Sequence, residues 1–117
     1  MLKKYDNALD DFTKSLDINP DNAETLSSRG EVYRTTGKYE NALNDLNKSL
    51  SIEPTNAWAL SCRGSVYYWL EQCDNALSDL NKSLEIEPDH DDGWSHKVRG
   101  DVYCKLNQYD NALNDYI

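Results

Sequence analysis

The sequence predicts an all-α protein built as a stacked array of helix pairs, about seven helices within 117 residues. Three observations carry this. First, the run Y-E-N-A-L-N-D-L-N-K-S-L-S-I-E-P from Tyr39 to Pro54 recurs from Tyr5 to Pro20 as Y-D-N-A-L-D-D-F-T-K-S-L-D-I-N-P. It recurs again as C-D-N-A-L-S-D-L-N-K-S-L-E-I-E-P from Cys73 to Pro88, and a fourth copy runs from Tyr109 to Ile117. Second, Pro20, Pro54 and Pro88 stand 34 positions apart, a period at which neighbouring units bury a shared core. Third, apolar residues in each copy fall three and four apart, as Tyr39, Ala42, Leu43, Leu46 and Leu50 do, making one stripe of an amphipathic helix.

The elements follow in order. The Tyr5, Tyr39, Cys73 and Tyr109 runs are helices that open on acids (Asp6, Glu40, Asp74, Asp110), and the first three carry lysines nearer the end (Lys14, Lys48, Lys82). That polarity complements the helix dipole. Proline then stops each complete copy, because it pushes the residue before it out of the helical region. Asp21-Asn22 and Thr55-Asn56 supply side-chain acceptors to cap the helices that follow from Ala23 and Ala57. Inside those helices stand Gly30, Gly64 and Gly100, each costing about 1 kcal/mol against alanine. Close approach of a partner helix explains them, with Ala42, Ala76 and Ala112 as the small residues opposite. Gly37 ends the first such helix in the left-handed conformation, and Asn107 is suited to do so for the third. Glu71 stands at the corresponding place in the second, so that turn is expected to be built differently.

These residues resemble the tetratricopeptide repeat. The pattern is matched by Gly30, Tyr33, Ala42 and Pro54, by Gly64, Tyr67, Ala76 and Pro88, and by Gly100, Tyr103 and Ala112. The resemblance covers essentially the whole chain and implies a right-handed superhelical solenoid of antiparallel helix pairs. On this register residues 1–22 form a half-repeat holding only the second helix and 23–56 a complete repeat. Residues 57–92 form a repeat with a two-residue insertion and 93–117 a truncated repeat. The insertion lies within D-H-D-D-G-W-S-H-K and is assigned to the loop before Gly93, which keeps Trp94 six residues ahead of Gly100; a longer helix is the alternative. No polar capping helix is evident at either end. A fragment of a longer array, or one completed by self-association, is expected.

Twelve basic against twenty-one acidic residues leave a net charge of −9, which argues against nucleic acid and against an anionic membrane surface. No apolar run is long enough to span a membrane, and no apolar segment follows the first lysines as in a signal peptide. Cys62, Cys73 and Cys104 form no C-x-x-C pair, which suits reduced thiols in a cytoplasmic protein. Asp89, His90, Asp91, Asp92 and His96 cluster in one loop, but Gly93 and Trp94 break the calcium-loop pattern, so a solvated acidic loop without a metal is expected. There is no phosphate loop and no nucleophile elbow. Asp10, Asp11, Asp45 and Asp79 recur with the repeat, as a solvated face would. No enzymatic activity and no cofactor are expected.

Function is therefore sought on the helices where the copies differ. Trp58 and Trp69 are 11 positions apart, which leaves them about 20° out of phase on a helix, with Ser61, Ser65 and Tyr68 between them. Leu60 lies about 200° from Trp58. The resemblance places the first helices on a concave ligand-binding surface, and so places Trp58, Ser61, Ser65, Tyr68, Trp69 and Trp94 in a peptide groove. Glu31, Arg34, Lys97 and Asp101 form its mixed-charge rim. Packing of the rings between neighbouring repeats stands beside this reading, with more weight for Trp94. Some family members hold acidic C-termini with a Lys/Asn clamp, but Ser27 and Glu31 occupy those places, so that activity is not transferred. The expectation is a non-enzymatic module holding an apolar or basic protein segment, anchored on Trp58, Tyr68 and Trp69 with hydrogen bonds from Asn22, Asn56 and the serines. The alternative is a structural fragment whose uncovered stripes (Leu9, Phe12, Leu16; Leu113, Tyr116, Ile117) assemble into homo-oligomers.

Overall fold

The computed structural model describes residues 2–88 and 93–106, with side chains from residue 4 onward. Six helices follow one another: α1 (Leu2–Ile18), α2 (Ala23–Thr35), α3 (Tyr39–Ile52), α4 (Ala57–Trp69), α5 (Cys73–Ile86) and α6 (Trp94–Lys105). The expected seventh helix, with Asn107, Ala112, Leu113, Tyr116 and Ile117, lies outside the described residues, as do Asp89, His90, Asp91 and Asp92. The chain divides into two compact units, Met1–Pro54 and Thr55–Ile117.

In the first unit α2 packs on α3, and α1 packs on α2. The Asn22 side chain accepts from the Thr25 N–H at 3.0 Å and opens α2. The helix closes as Gly37 (φ +81°) donates to the Arg34 carbonyl and Lys38 donates to the Tyr33 carbonyl at 2.8 Å. Gly30 is where the pair comes closest: a Cβ there would lie 2.9 Å from Leu46 Cγ and 3.5 Å from the Ala42 carbonyl oxygen. Leucine is thus the direct neighbour, with the Ala42 backbone behind it. Leu26, Ala42, Leu46 and Leu50 are buried, which makes this contact the centre of the core.

The second unit repeats the pair with α4 on α5 and adds α6, packed mainly on α5. Asn56 caps α4 through the Ala59 N–H at 3.1 Å. Gly64 meets Leu80 Cγ at 2.9 Å in the same way. The turn after α4 corrects the sequence expectation. Glu71 takes the left-handed conformation (φ 62°) and donates to the Tyr68 carbonyl, while Gln72 donates to the Tyr67 carbonyl at 2.8 Å. The turn is the same as at Gly37, because two carbonyl bonds hold it whatever residue supplies the backbone. Gly93 (φ +87°) precedes α6, which has 12 residues against 13 in α2 and α4, so α6 is no longer than its counterparts.

Candidate functional site

Two staples hold each helix pair. The Arg29 guanidinium donates to both Asp45 oxygens at 2.7 and 2.8 Å, and Arg63 does the same to Asp79 at 2.7 Å for both bonds. Each arginine also lies 5.8 Å from a ring centroid, Tyr33 or Tyr67. Hydrogen bonding to the carboxylate, set against burial, pushes both guanidinium pKa values above the ordinary arginine value. Asp45 and Asp79 are buried. The expectation of a solvated acidic face is corrected there, while Asp10 and Asp11 are exposed as that reading required. The signal was present: Arg29 and Arg63 precede the two helix glycines and recur with the same period as the acids.

The second staple is a buried hydroxyl chain whose donor direction follows from its end. Ser83 Oγ donates to the Ala57 carbonyl at 2.7 Å, so the 2.6 Å bond between Ser61 and Ser83 is donated by Ser61. The 2.5 Å bond between Ser95 and Ser61 is then donated by Ser95, which ties α6 to the pair. In the first unit Ser49 donates to the Ala23 carbonyl at 2.9 Å, and Ser27 donates to Ser49.

These bonds decide where the expected groove residues go. Ser61 is fully buried and committed to the chain just described, and Ser65 is buried as well. Neither offers a surface to a ligand, and the Asn22 and Asn56 side chains are engaged as caps. Cys62 and Ser65 lie on the helix face between the two tryptophans and are buried. The continuous aromatic stripe is therefore corrected to two exposed tryptophans near opposite ends of α4, Trp58 at 36% and Trp69 at 57%. Tyr68 and Trp94 are half-buried against the core of Ala76, Leu80, Val98 and Val102. Tyr68 also meets Trp69 edge to face, with ring centroids 5.5 Å apart and planes at 76°.

The rim residues are engaged in ion pairs. Arg34 Nε donates to Glu31 Oε1 at 2.5 Å, and Lys97 Nζ to Asp101 Oδ2 at 3.1 Å. Lys105 holds its ammonium 4.9 Å above the Tyr68 ring and 3.6 Å from Glu71 Oε1. Beside it opens a cleft of about 440 Å³ lined by Glu71, Gln72, Cys73, Asp74, Asn75 and Leu106. Among the described residues no group of three His, Cys, Asp or Glu side chains is placed to hold a metal, and no helix is long and apolar enough to cross a membrane.

Paired helices closed by a left-handed turn and a proline, and repeated along the chain, define a helical-repeat protein. The chain belongs to the tetratricopeptide repeat family: profiles described as tetratricopeptide repeat match residues 55–116 and 12–44, and one described as TPR repeat matches residues 30–71. A search of curated proteins by sequence gives no match. Among solved structures the chain is similar to a crystal structure of MamA, with 25% identity over 96% of this chain and 64% of that one, TM-score 0.86. It is similar also to MamA from Desulfovibrio magneticus RS-1, with 22% identity over 98% of this chain and 64% of that one, TM-score 0.87. The chain thus spans about 64% of the length of these structures, and at such identity the likeness concerns the fold. Family and fold together make this a repeat scaffold of the protein-interaction class.

Proposed function

We propose that the chain is a non-enzymatic module that holds a protein or peptide segment on the groove-lining first helices of its repeats, with Trp58 and Trp69 as apolar anchors. The observation that carries this is the contrast along α4. Ala57, Ala59 to Cys62 and Gly64 to Val66 are buried, yet the two largest side chains of that helix stand in solvent. Covering the exposed part of each ring is worth about 3 kcal/mol for Trp69 and about 2 kcal/mol for Trp58, at ~25 cal/mol per Å². Together that is about 5 kcal/mol, a Kd of roughly 0.2 mM before ordering costs, so a segment that binds more tightly must draw on further polar and main-chain contacts. Lys97 and Asp101 on α6 supply polar contacts in the same unit, and Glu31 with Arg34 supplies a polar patch on α2. Three cysteines outside any disulfide suit a cytoplasmic setting.

The test is affinity capture from a cell extract with the intact chain and the Trp58→Ala/Trp69→Ala variant side by side, both checked for helicity by circular dichroism. The intact chain retains a partner that the folded variant loses. Equal capture by both would remove the two tryptophans from the site. One observation favours self-association as a second reading: Ala8 and Phe12 on α1 are half-buried, whereas Ala42, Leu46, Ala76 and Leu80 at the same repeat positions are fully buried. Sedimentation over a range of concentrations decides it, and a monomer throughout excludes it.

A further inference from the structure

We infer that the Trp69 end of α4 recognises a cationic side chain, so that the segment held there carries an arginine or lysine next to an apolar residue. This rests on the anchor reading above and names the chemistry of its partner. The protein's own Lys105 shows that the geometry suits a cation. Its ammonium sits over the Tyr68 ring at 4.9 Å with the Glu71 carboxylate 3.6 Å away, and Tyr68 in turn abuts the exposed Trp69 ring. A cation over an aromatic face and near a carboxylate is a favourable arrangement, and a guanidinium adds stacking on indole that an ammonium lacks.

Charge points the same way. The chain carries −9 overall, and Glu71 and Asp74 are exposed and line the same cleft beside Leu106. An incoming basic segment is drawn to that field and an acidic one is repelled. The position of Glu71 is itself informative. It is the one described non-glycine residue with positive φ, at the turn position that Gly37 fills in the other unit. A carboxylate is placed there at a local backbone cost, two residues after Trp69, the most exposed ring among the described residues.

The experiment follows the three tryptophan indole N–H signals by nitrogen-15 NMR, assigned through single Trp→Phe variants. The probes are three capped pentapeptides with two leucines flanking a central arginine, citrulline or glutamate, titrated to millimolar concentration. The arginine peptide is expected to shift the Trp69 signal and to bind more tightly than the citrulline and glutamate peptides. Glu71→Gln, which keeps the backbone and removes the charge, weakens the arginine peptide by about two- to fivefold and leaves the citrulline peptide unchanged. Lys105→Gln, which removes the internal competitor, strengthens it by a similar factor. Equal binding of the arginine and glutamate peptides at Trp69 overturns the cation reading and leaves the anchors standing. If no peptide moves Trp58 or Trp69, the anchor reading fails together with it.

Discussion

Replacing Glu71 by glycine is expected to stabilise the protein even though it removes a side chain that touches a neighbour. The left-handed conformation at φ 62° costs an L-residue about 1–2 kcal/mol. Glycine avoids that cost and instead loses about 0.5–1 kcal/mol through its freer unfolded chain. The ion pair surrendered is 3.6 Å long, with the Glu71 side chain 77% exposed, which places it at the low end of ~0–1 kcal/mol. The balance is a gain of about 0.5–1 kcal/mol, or a melting temperature higher by about 2–4 °C for a chain of this size. Urea denaturation followed by tryptophan fluorescence reads it directly, since Trp58, Trp69 and Trp94 all belong to the second unit. Gly37→Glu is the reciprocal change and should cost a similar amount, read by circular dichroism because the first unit has no tryptophan. A lower urea midpoint for Glu71→Gly at unchanged slope, or a neutral Gly37→Glu, would refute the argument.

Three further outcomes follow from the packing. Gly30→Ala and Gly64→Ala each gain about 1 kcal/mol of helix propensity but force a methyl to within 2.9 Å of a leucine Cγ, an overpacking cost of about 1–3 kcal/mol. Both should lower the urea midpoint, and a smaller residue at Leu46 or Leu80 should rescue the matching variant in a double-mutant cycle. Arg29→Met or Arg63→Met leaves a buried carboxylate without its bidentate partner and costs about 3 kcal/mol, reduced somewhat because each guanidinium is partly exposed. Because the guanidinium pKa is raised, the stabilisation is complete below the ordinary arginine value and is lost only as pH rises through the higher folded value, so this loss should not vary between pH 6 and 9. Ser61→Ala strips both Ser83 and Ser95 of a partner where Ser27→Ala strips only Ser49, so the first should cost more within a range of about 1–3 kcal/mol.

The period, the caps and the glycine contacts were legible because each has one local cause that recurs. Asn22 and Asn56 precede a helix and have the side chain to cap it, and the glycines have no other reason to sit inside one. Asp45 and Asp79 were misread because recurrence alone does not distinguish a solvated acid from a stapled one; the partner arginine lies on another helix, 16 residues earlier. Glu71 was misread because residue preference was allowed to outweigh the two carbonyl bonds that impose the turn. Ser61 and Ser65 were misplaced for a geometric reason. Helical phase measured from Leu60 assumes one buried face, but α4 is enclosed nearly all round and opens only near its ends, so phase carried little information there.

Comparing the two complete helix pairs within this one chain separates scaffold from site. Each pair has its asparagine cap, its glycine–leucine contact, its arginine–aspartate staple, its serine bond and its left-handed turn. Against that shared frame, Trp58 and Trp69 stand where the first unit has Glu24 and Thr35, both exposed. A frame that closes over glutamate and threonine in one unit has no structural need of tryptophan in the other. The exchange Trp58→Glu/Trp69→Thr should therefore keep helicity and lower stability by about 0.5–2 kcal/mol per site, more at Trp58, whose 36% exposure leaves most of the ring covered. It should also abolish capture of the partner segment. A larger loss of stability would show instead that the rings serve the fold, and would move the search for the binding surface away from α4.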